Sequence, residues 1–112
     1  MSNNNESLVV AQTILEQLGG RRFLAMTGAK NLIGDEKSLR FQLPRTPGFV
    51  KDGITNVRIE LVASDTYALT FFKVRGIKII EIAKDTDVYA DMLRRVFTER
   101  TALECTLGTM RG

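Results

Sequence analysis

Histidine is absent from this 112-residue chain, and cysteine occurs only once. Without histidine, the chain lacks the usual general base near neutral pH and the commonest metal ligand. A zinc site needs about four cysteine or histidine ligands, which this composition cannot supply. We therefore predict a protein that is not an enzyme, with no catalytic residues, no cofactor and no metal site.

A secretory signal and a membrane-length apolar run are also absent. Residues 1–6 are polar and rich in asparagine, without the basic start and apolar middle of a signal peptide. The longest apolar stretches are short and broken by charges, whereas a membrane helix needs about 20 apolar residues. The single cysteine, Cys105, cannot form an internal disulfide, and we expect it to act as a small hydrophobe near the end of the last helix. These features predict a cytoplasmic protein with no membrane partner.

The composition of the chain is that of a globular protein. Apolar residues make up 44% and charged residues 26%, which argues against a disordered chain. The length fits one domain of ordinary size. We predict a single domain over residues 8–107, preceded by a flexible polar tail over 1–7 and followed by a loose tail over 108–112.

Two segments carry apolar residues at helical spacing. The first segment, residues 8–18, has the stripe Leu8, Ala11, Ile14, Leu15 and Leu18. We expect Ser7 to cap it and Gly19-Gly20 to end it. The second segment runs from about residue 86 to 103 and has the stripe Val88, Met92, Val96 and Leu103. Its cap candidates are Asp85, Thr86 and Asp87.

Five segments have the character of strands, namely 21–27, 38–43, 54–62, 67–75 and 77–83. In the second of these, Leu39, Phe41 and Leu43 alternate with polar residues, which predicts one buried and one exposed face. Phe71 and Phe72 are adjacent, so their strand is either buried on both faces or carries a bulge nearby. Short connections imply antiparallel pairing. The prediction is an α+β fold: an N-terminal helix, an antiparallel meander of about five strands, and a C-terminal helix packed on one sheet face.

Two local patterns resemble ligand-binding sites but have simpler structural explanations. The acidic pairs Asp35-Glu36 and Asp85 with Asp87 offer oxygen ligands, yet they fall at a turn and at a predicted helix start, where solvation or capping accounts for them. Residues 27–31 contain a glycine and a lysine, as a phosphate-binding loop does. They lack the G-x-x-x-x-G-K-[ST] spacing. We interpret this segment as a turn after the first strand.

The positive charge is concentrated in the middle of the chain. Residues 21–84 hold twelve lysines and arginines against six acidic residues. Cations interleaved with an aromatic ring on an open sheet face suit single-stranded nucleic acid, because phosphates meet the charges and bases stack on the ring. The predicted phosphate contacts are Arg40, Arg58, Lys73, Arg75 and Lys78. Phe72 is the predicted stacking platform.

A second interpretation assigns the same charges to solubility. Arginines on the solvent side of a sheet discourage edge pairing, and Phe72 is then a core residue. The partner would be a protein, either a second copy of the chain in a homodimer or a host or defence protein that the chain inhibits. A contiguous exposed apolar patch would favour this interpretation. The sequence leaves both open.

Three stretches carry a resemblance to a known group: residues 15–23 continuing through 25–31, residues 65–67, and residues 88–91. Together they resemble small uncharacterised proteins carried by bacteriophages and related mobile elements. The resemblance implies a phage-type accessory protein in the cytoplasm of the host cell, and it assigns no functional residue. Such proteins often act on phage DNA or block a host system, so the resemblance is compatible with both interpretations.

Overall fold

The computed structural model describes residues 8–62 and 65–104. The proposed cap Ser7, the proposed role of Cys105 and both predicted tails lie outside these residues. The helices are α1 (Val9–Leu18), α2 (Arg21–Thr27) and α3 (Leu93–Thr101). The strands are β1 (Lys30–Gly34), β2 (Ser38–Gln42), β3 (Asn56–Leu61), β4 (Tyr67–Arg75) and β5 (Lys78–Val88). Short 3-10 turns occur at Lys51–Gly53 and Ala90–Met92. No helix in the described ranges is long and apolar enough to cross a membrane.

The five strands form one antiparallel sheet in the order β1-β2-β3-β4-β5. Each strand pairs with its neighbours in the chain, as short connections require. The registers align apolar residues across the sheet, for example Leu39 with Ile59 and Ile59 with Leu69. The predicted α+β class, antiparallel meander and terminal helices are confirmed.

Residues 21–27 are a helix, so the strand predicted there is wrong. Phe23 and Thr27 are both fully buried one helical turn apart, and the Thr27 hydroxyl donates to the Phe23 carbonyl oxygen at 2.7 Å. A short, mostly apolar segment of this kind does not distinguish a helix from a strand by its pattern alone. The first strand is instead β1, which begins after Gly28 ends α2 in the left-handed conformation (φ 76°).

The last helix is shorter than predicted, because β5 extends to Val88. Val88 is buried and pairs with Tyr67, so this part of the predicted helix belongs to the sheet. The expected cap residue Asp85 accepts two hydrogen bonds from the Arg100 guanidinium instead, at 2.8 and 2.9 Å. Asp87 has a left-handed backbone (φ 56°) and lies within β5. The described α3 begins only at Leu93.

The core lies between one face of the sheet and the helices. We call this face the inner face; it carries Leu39, Phe41, Val57, Ile59, Leu69 and Phe71, all buried. Three rings meet at its centre, contributed by α2, β2 and α3. Phe23 lies edge-on to Phe41 and to Phe97, with centroids 5.3 and 5.2 Å apart. The second and last helices, α2 and α3, are thereby joined through one aromatic cluster on the sheet.

A bulge in β5 accompanies the adjacent phenylalanines of β4. Phe71 pairs with Ala83 and Phe72 with Glu81, so Ile82 is the extra residue. The alternation of β4 is therefore unbroken. Phe71 is fully buried on the inner face, and Phe72 is half-buried on the opposite face. A bulge is therefore present near the adjacent phenylalanines, but its extra residue lies in β5 and not in β4.

Candidate nucleic-acid interface

The second face of the sheet, the outer face, carries polar and charged side chains in two rows. Directly opposed residues of antiparallel strands point to the same side. The first row is Arg40, Arg58, Thr70 and Lys84, on β2 to β5 in that order. The second row is Gln42, Asn56, Phe72 and Glu81 on the same four strands. Three cations thus lie on one line across the sheet.

A groove of about 520 Å³ follows the outer face. Its lining residues are Asp35, Arg40, Asn56, Val57, Arg58, Phe72, Val74 and Ile79. Cationic groups therefore lie beside an aromatic ring and aliphatic side chains in one depression. This combination can hold a planar apolar group next to an anion.

The electrostatics of the outer face leave its cations weakly neutralised. Arg40 and Arg58 are directly opposed, an arrangement that destabilises a sheet because like charges face each other. The nearest carboxylate oxygen to the Arg58 guanidinium is that of Glu60, at 3.8 Å, in a largely exposed pair worth little. Glu60 and Glu81 lower the net charge of the face, but both lie outside the row of cations.

Asp35 lies at the rim of the groove, in the turn between β1 and β2. Its carboxylate accepts hydrogen bonds from the Lys37 amide at 3.0 Å, the Ser38 amide at 2.9 Å and the Ser38 hydroxyl at 2.8 Å. The Lys37 and Ser38 hydrogen bonds lower the pKa of Asp35, and the charge of Arg58 adds a smaller effect in the same direction. The carboxylate therefore stabilises the hairpin turn while ionised.

Replacing Asp35 with alanine is expected to lower the free energy of unfolding at neutral pH by about 1 kcal/mol, the typical net contribution of a hydrogen bond. The folded pKa lies below the unfolded value of about 3.9, so the stabilisation is complete above that value and is lost as the pH falls through the folded pKa. Urea unfolding between pH 2.5 and 7 measures this difference. An Asp35→Asn control, which keeps an acceptor oxygen without the charge, should show no such dependence at this site. A wild-type advantage over D35A that persists unchanged in acid would contradict the assignment.

The outer face brings together three of the six predicted site residues: Arg40, Arg58 and Phe72. Lys73 and Arg75 share the alternation of Phe71, so they lie on the inner side of β4, beyond the end of the core. Lys78 is paired with Arg75 and lies on that side too. The prediction that these three cations share one sheet face with Arg40 and Arg58 is therefore wrong. Arg21 and Arg22, expected on a strand, are exposed on α2.

Lys84 completes the cationic row and was not predicted as part of the site. The predicted strand ended one residue earlier, and the bulge at Ile82 shifts the faces of residues 83–85, before a second irregularity ahead of Val88. Alternation counted from Glu81 would place Lys84 on the wrong side. Only the pairing of Lys84 with Thr70 across the strands shows that Lys84 lies on the outer face, and a single sequence does not reveal that pairing.

Neither the acidic pairs nor the glycine-lysine segment forms a ligand site among the described residues. Within residues 8–62 and 65–104, no group of three or more histidine, cysteine, aspartate or glutamate side chains is arranged to hold a metal ion. In the segment that resembles a phosphate loop, the Gly28 amide donates to the Leu24 carbonyl oxygen at 2.9 Å, so it closes α2. The segment contains the end of α2, a two-residue connection and the start of β1, so the interpretation as a turn after a strand is wrong.

Comparisons with known proteins find no matching family model, no matching curated protein and no matching solved structure. A functional assignment therefore depends on the geometry and charge of the chain's own residues. The outer face is the surface on which cations, an aromatic ring and a groove coincide.

Proposed function

We propose that the chain is a non-catalytic accessory module that binds nucleic acid across the outer face. The observation that carries the proposal is the directly opposed pair Arg40 and Arg58 in line with Lys84. Repulsion between the two guanidinium groups destabilises the unbound protein. A phosphate bound between them would be attracted to both and would remove that repulsion. Arginine forks suit phosphate oxygens especially well.

Single-stranded nucleic acid is the form that fits this face. The cationic row extends from β2 to β5, three strand spacings or about 14 Å. The major groove of B-DNA is about 12 Å wide and admits a two-stranded ribbon, so a four-stranded surface does not enter it. A single strand can lie along the row with its phosphates on the arginines. Phe72, half-buried in the neighbouring row, then offers its exposed ring surface to a base.

The proposal is tested by fluorescence-anisotropy titration of labelled single- and double-stranded oligonucleotides of one sequence, at low and at physiological salt. We expect micromolar or tighter binding of the single strand that persists at physiological salt. Three phosphate contacts predict a slope of log K against log salt of about −2 for a single strand. Binding that is absent, or that disappears with salt and does not distinguish the two forms, would refute the proposal.

A protein partner is the second candidate, and exposed isoleucines favour it. Ile77 is 100% exposed, Ile79 69% and Ile80 43%, all at the end of the β4–β5 hairpin. Ile79 pairs with Val74 on the outer side, whereas Ile80 pairs with Lys73 on the inner side, so the isoleucines surround the hairpin end and do not form one patch. Exposed apolar side chains at such a position are available to a protein partner. Against pairing of β5 edges in a homodimer stand the charges of Lys78 and Glu81 and the bulge in that strand. A concentration-dependent dimer in light scattering that Ile77→Asp dissociates would support this candidate.

A further inference from the structure

A second depression, the loop pocket, lies where the loop between β2 and β3 meets the end of β4. Its volume is about 420 Å³. The charged residues that line it are Arg45, Asp52, Lys73 and Arg75. Lys73 and Arg75 point away from the outer face, so the loop pocket is a separate site. Its size falls within the range of small-ligand pockets.

The loop that forms the pocket is anchored at several points. Val50 and Ile54 are buried in the core. At its end the Thr55 amide donates to the Phe72 carbonyl oxygen, and the Thr55 hydroxyl accepts from the Val74 amide, both at 2.8 Å. These bonds fix the loop against β4. A preformed pocket loses little entropy when a ligand binds.

Within the part of the chain that the structure describes, no acidic side chain is paired with a cation of the loop pocket. Arg45, Lys73 and Arg75 form no ion pair with another described residue. The Lys73 side chain passes close to Gly53, and its ammonium nitrogen lies 3.3 Å from where a Cβ on Gly53 would be. The one lining carboxylate, Asp52, also interacts with Arg100, whose pKa is raised mainly by Asp85 and to a smaller extent by Asp52.

We propose that the loop pocket binds a phosphate monoester through Arg45, Lys73 and Arg75. Three cations from two segments converge on one depression with a single carboxylate, which leaves a net positive site suited to a dianion. Two guanidinium forks and an ammonium provide charge-assisted donors for phosphate oxygens. This site is independent of the outer face. The phosphate can belong to the end of a nucleic-acid strand or to a small phosphorylated molecule.

The test is titration of the full chain with inorganic phosphate at constant ionic strength, followed by amide NMR shifts. We expect saturable shifts at Thr46, Gly48 and Gly53, and at least about tenfold weaker binding in a Lys73→Gln/Arg75→Gln variant. Arg21→Gln/Arg22→Gln is the matched control, because it removes two exposed cations of α2 that do not line the pocket. Its affinity for phosphate should equal that of the wild type.

Acetate and two oligonucleotides separate the alternatives. Acetate should not saturate the pocket, since it is a monoanion with two acceptor oxygens. A 5′-phosphorylated oligonucleotide that shifts the loop amides, while its 5′-hydroxyl counterpart does not, identifies a strand end as the source. Absence of loop-amide shifts with both oligonucleotides, while inorganic phosphate still binds, identifies a small phosphorylated molecule. Equal shifts with both overturn the preference for a monoester. Absence of saturation by phosphate, or saturation unchanged in the double variant, overturns the site even if the outer face binds nucleic acid.

Discussion

Exchange of Arg40 and Arg58 together for glutamine is expected to weaken oligonucleotide binding by at least about a hundredfold at low salt. Each arginine is proposed to make a charge-assisted hydrogen bond to a phosphate, worth about 1.5–3 kcal/mol. Two such losses correspond to a hundredfold or more in the dissociation constant. The slope of log K against log salt should also become less negative by about 1.4. Anisotropy titrations at several salt concentrations measure both quantities.

The same substitution should leave the fold intact and make it slightly more stable. Because Arg40 faces Arg58 directly, removing both charges relieves a repulsion worth about 0.2–1 kcal/mol. Arg21→Gln/Arg22→Gln is the matched control, since it removes two exposed arginines from α2 and changes net charge equally. Unchanged binding in the outer-face variant, or an equal loss in the control, would contradict the assigned face.

Truncation of Phe23 to alanine is expected to cost about 3–5 kcal/mol of unfolding free energy. Phe23 is fully buried and has edge-on contacts with two other rings, so its removal leaves a cavity and loses aromatic contacts. A domain of this length has a total stability of roughly 6–17 kcal/mol. We therefore expect a fall in Tm of roughly 10–20 °C in thermal unfolding.

Phe49→Ala is the matched control for this prediction. Phe49 is 45% exposed in the loop between β2 and β3 and takes no part in the ring cluster. Its truncation should cost less than about 1 kcal/mol. A Phe23→Ala protein with near wild-type stability would show that α2 is not packed on the sheet as described.

The overall architecture was predictable because periodicity and connection length constrain it. Leu39 and Phe41 alternate with polar residues, which indicates a strand with one buried face. Ile14 and Leu18 lie on one helical stripe, which indicates an amphipathic helix. The segment 21–27 has no such constraint. Its helix depends on burying Phe23 in the aromatic cluster, which is a tertiary contact and leaves no local pattern.

The candidate site was predictable only where alternation extends without interruption. Arg40 and Arg58 each lie in a strand with a clear inner face, and the structure places them together. Lys73 and Arg75 follow the adjacent pair Phe71 and Phe72, whose orientation the sequence left open. Once Phe71 is known to be buried, alternation alone moves both cations to the inner side.

The aromatic cluster has a consequence for synthesis on the ribosome. The ring of Phe41 lies on the sheet, whereas Phe97 follows all five strands in the chain. At roughly 5–20 residues per second, translation adds Phe97 roughly 3–11 seconds after Phe41. Neighbouring strands can pair as they emerge, since their contacts are local in sequence. During those seconds the nascent sheet has an apolar face without its last helix, which makes it a substrate for chaperones and vulnerable to aggregation.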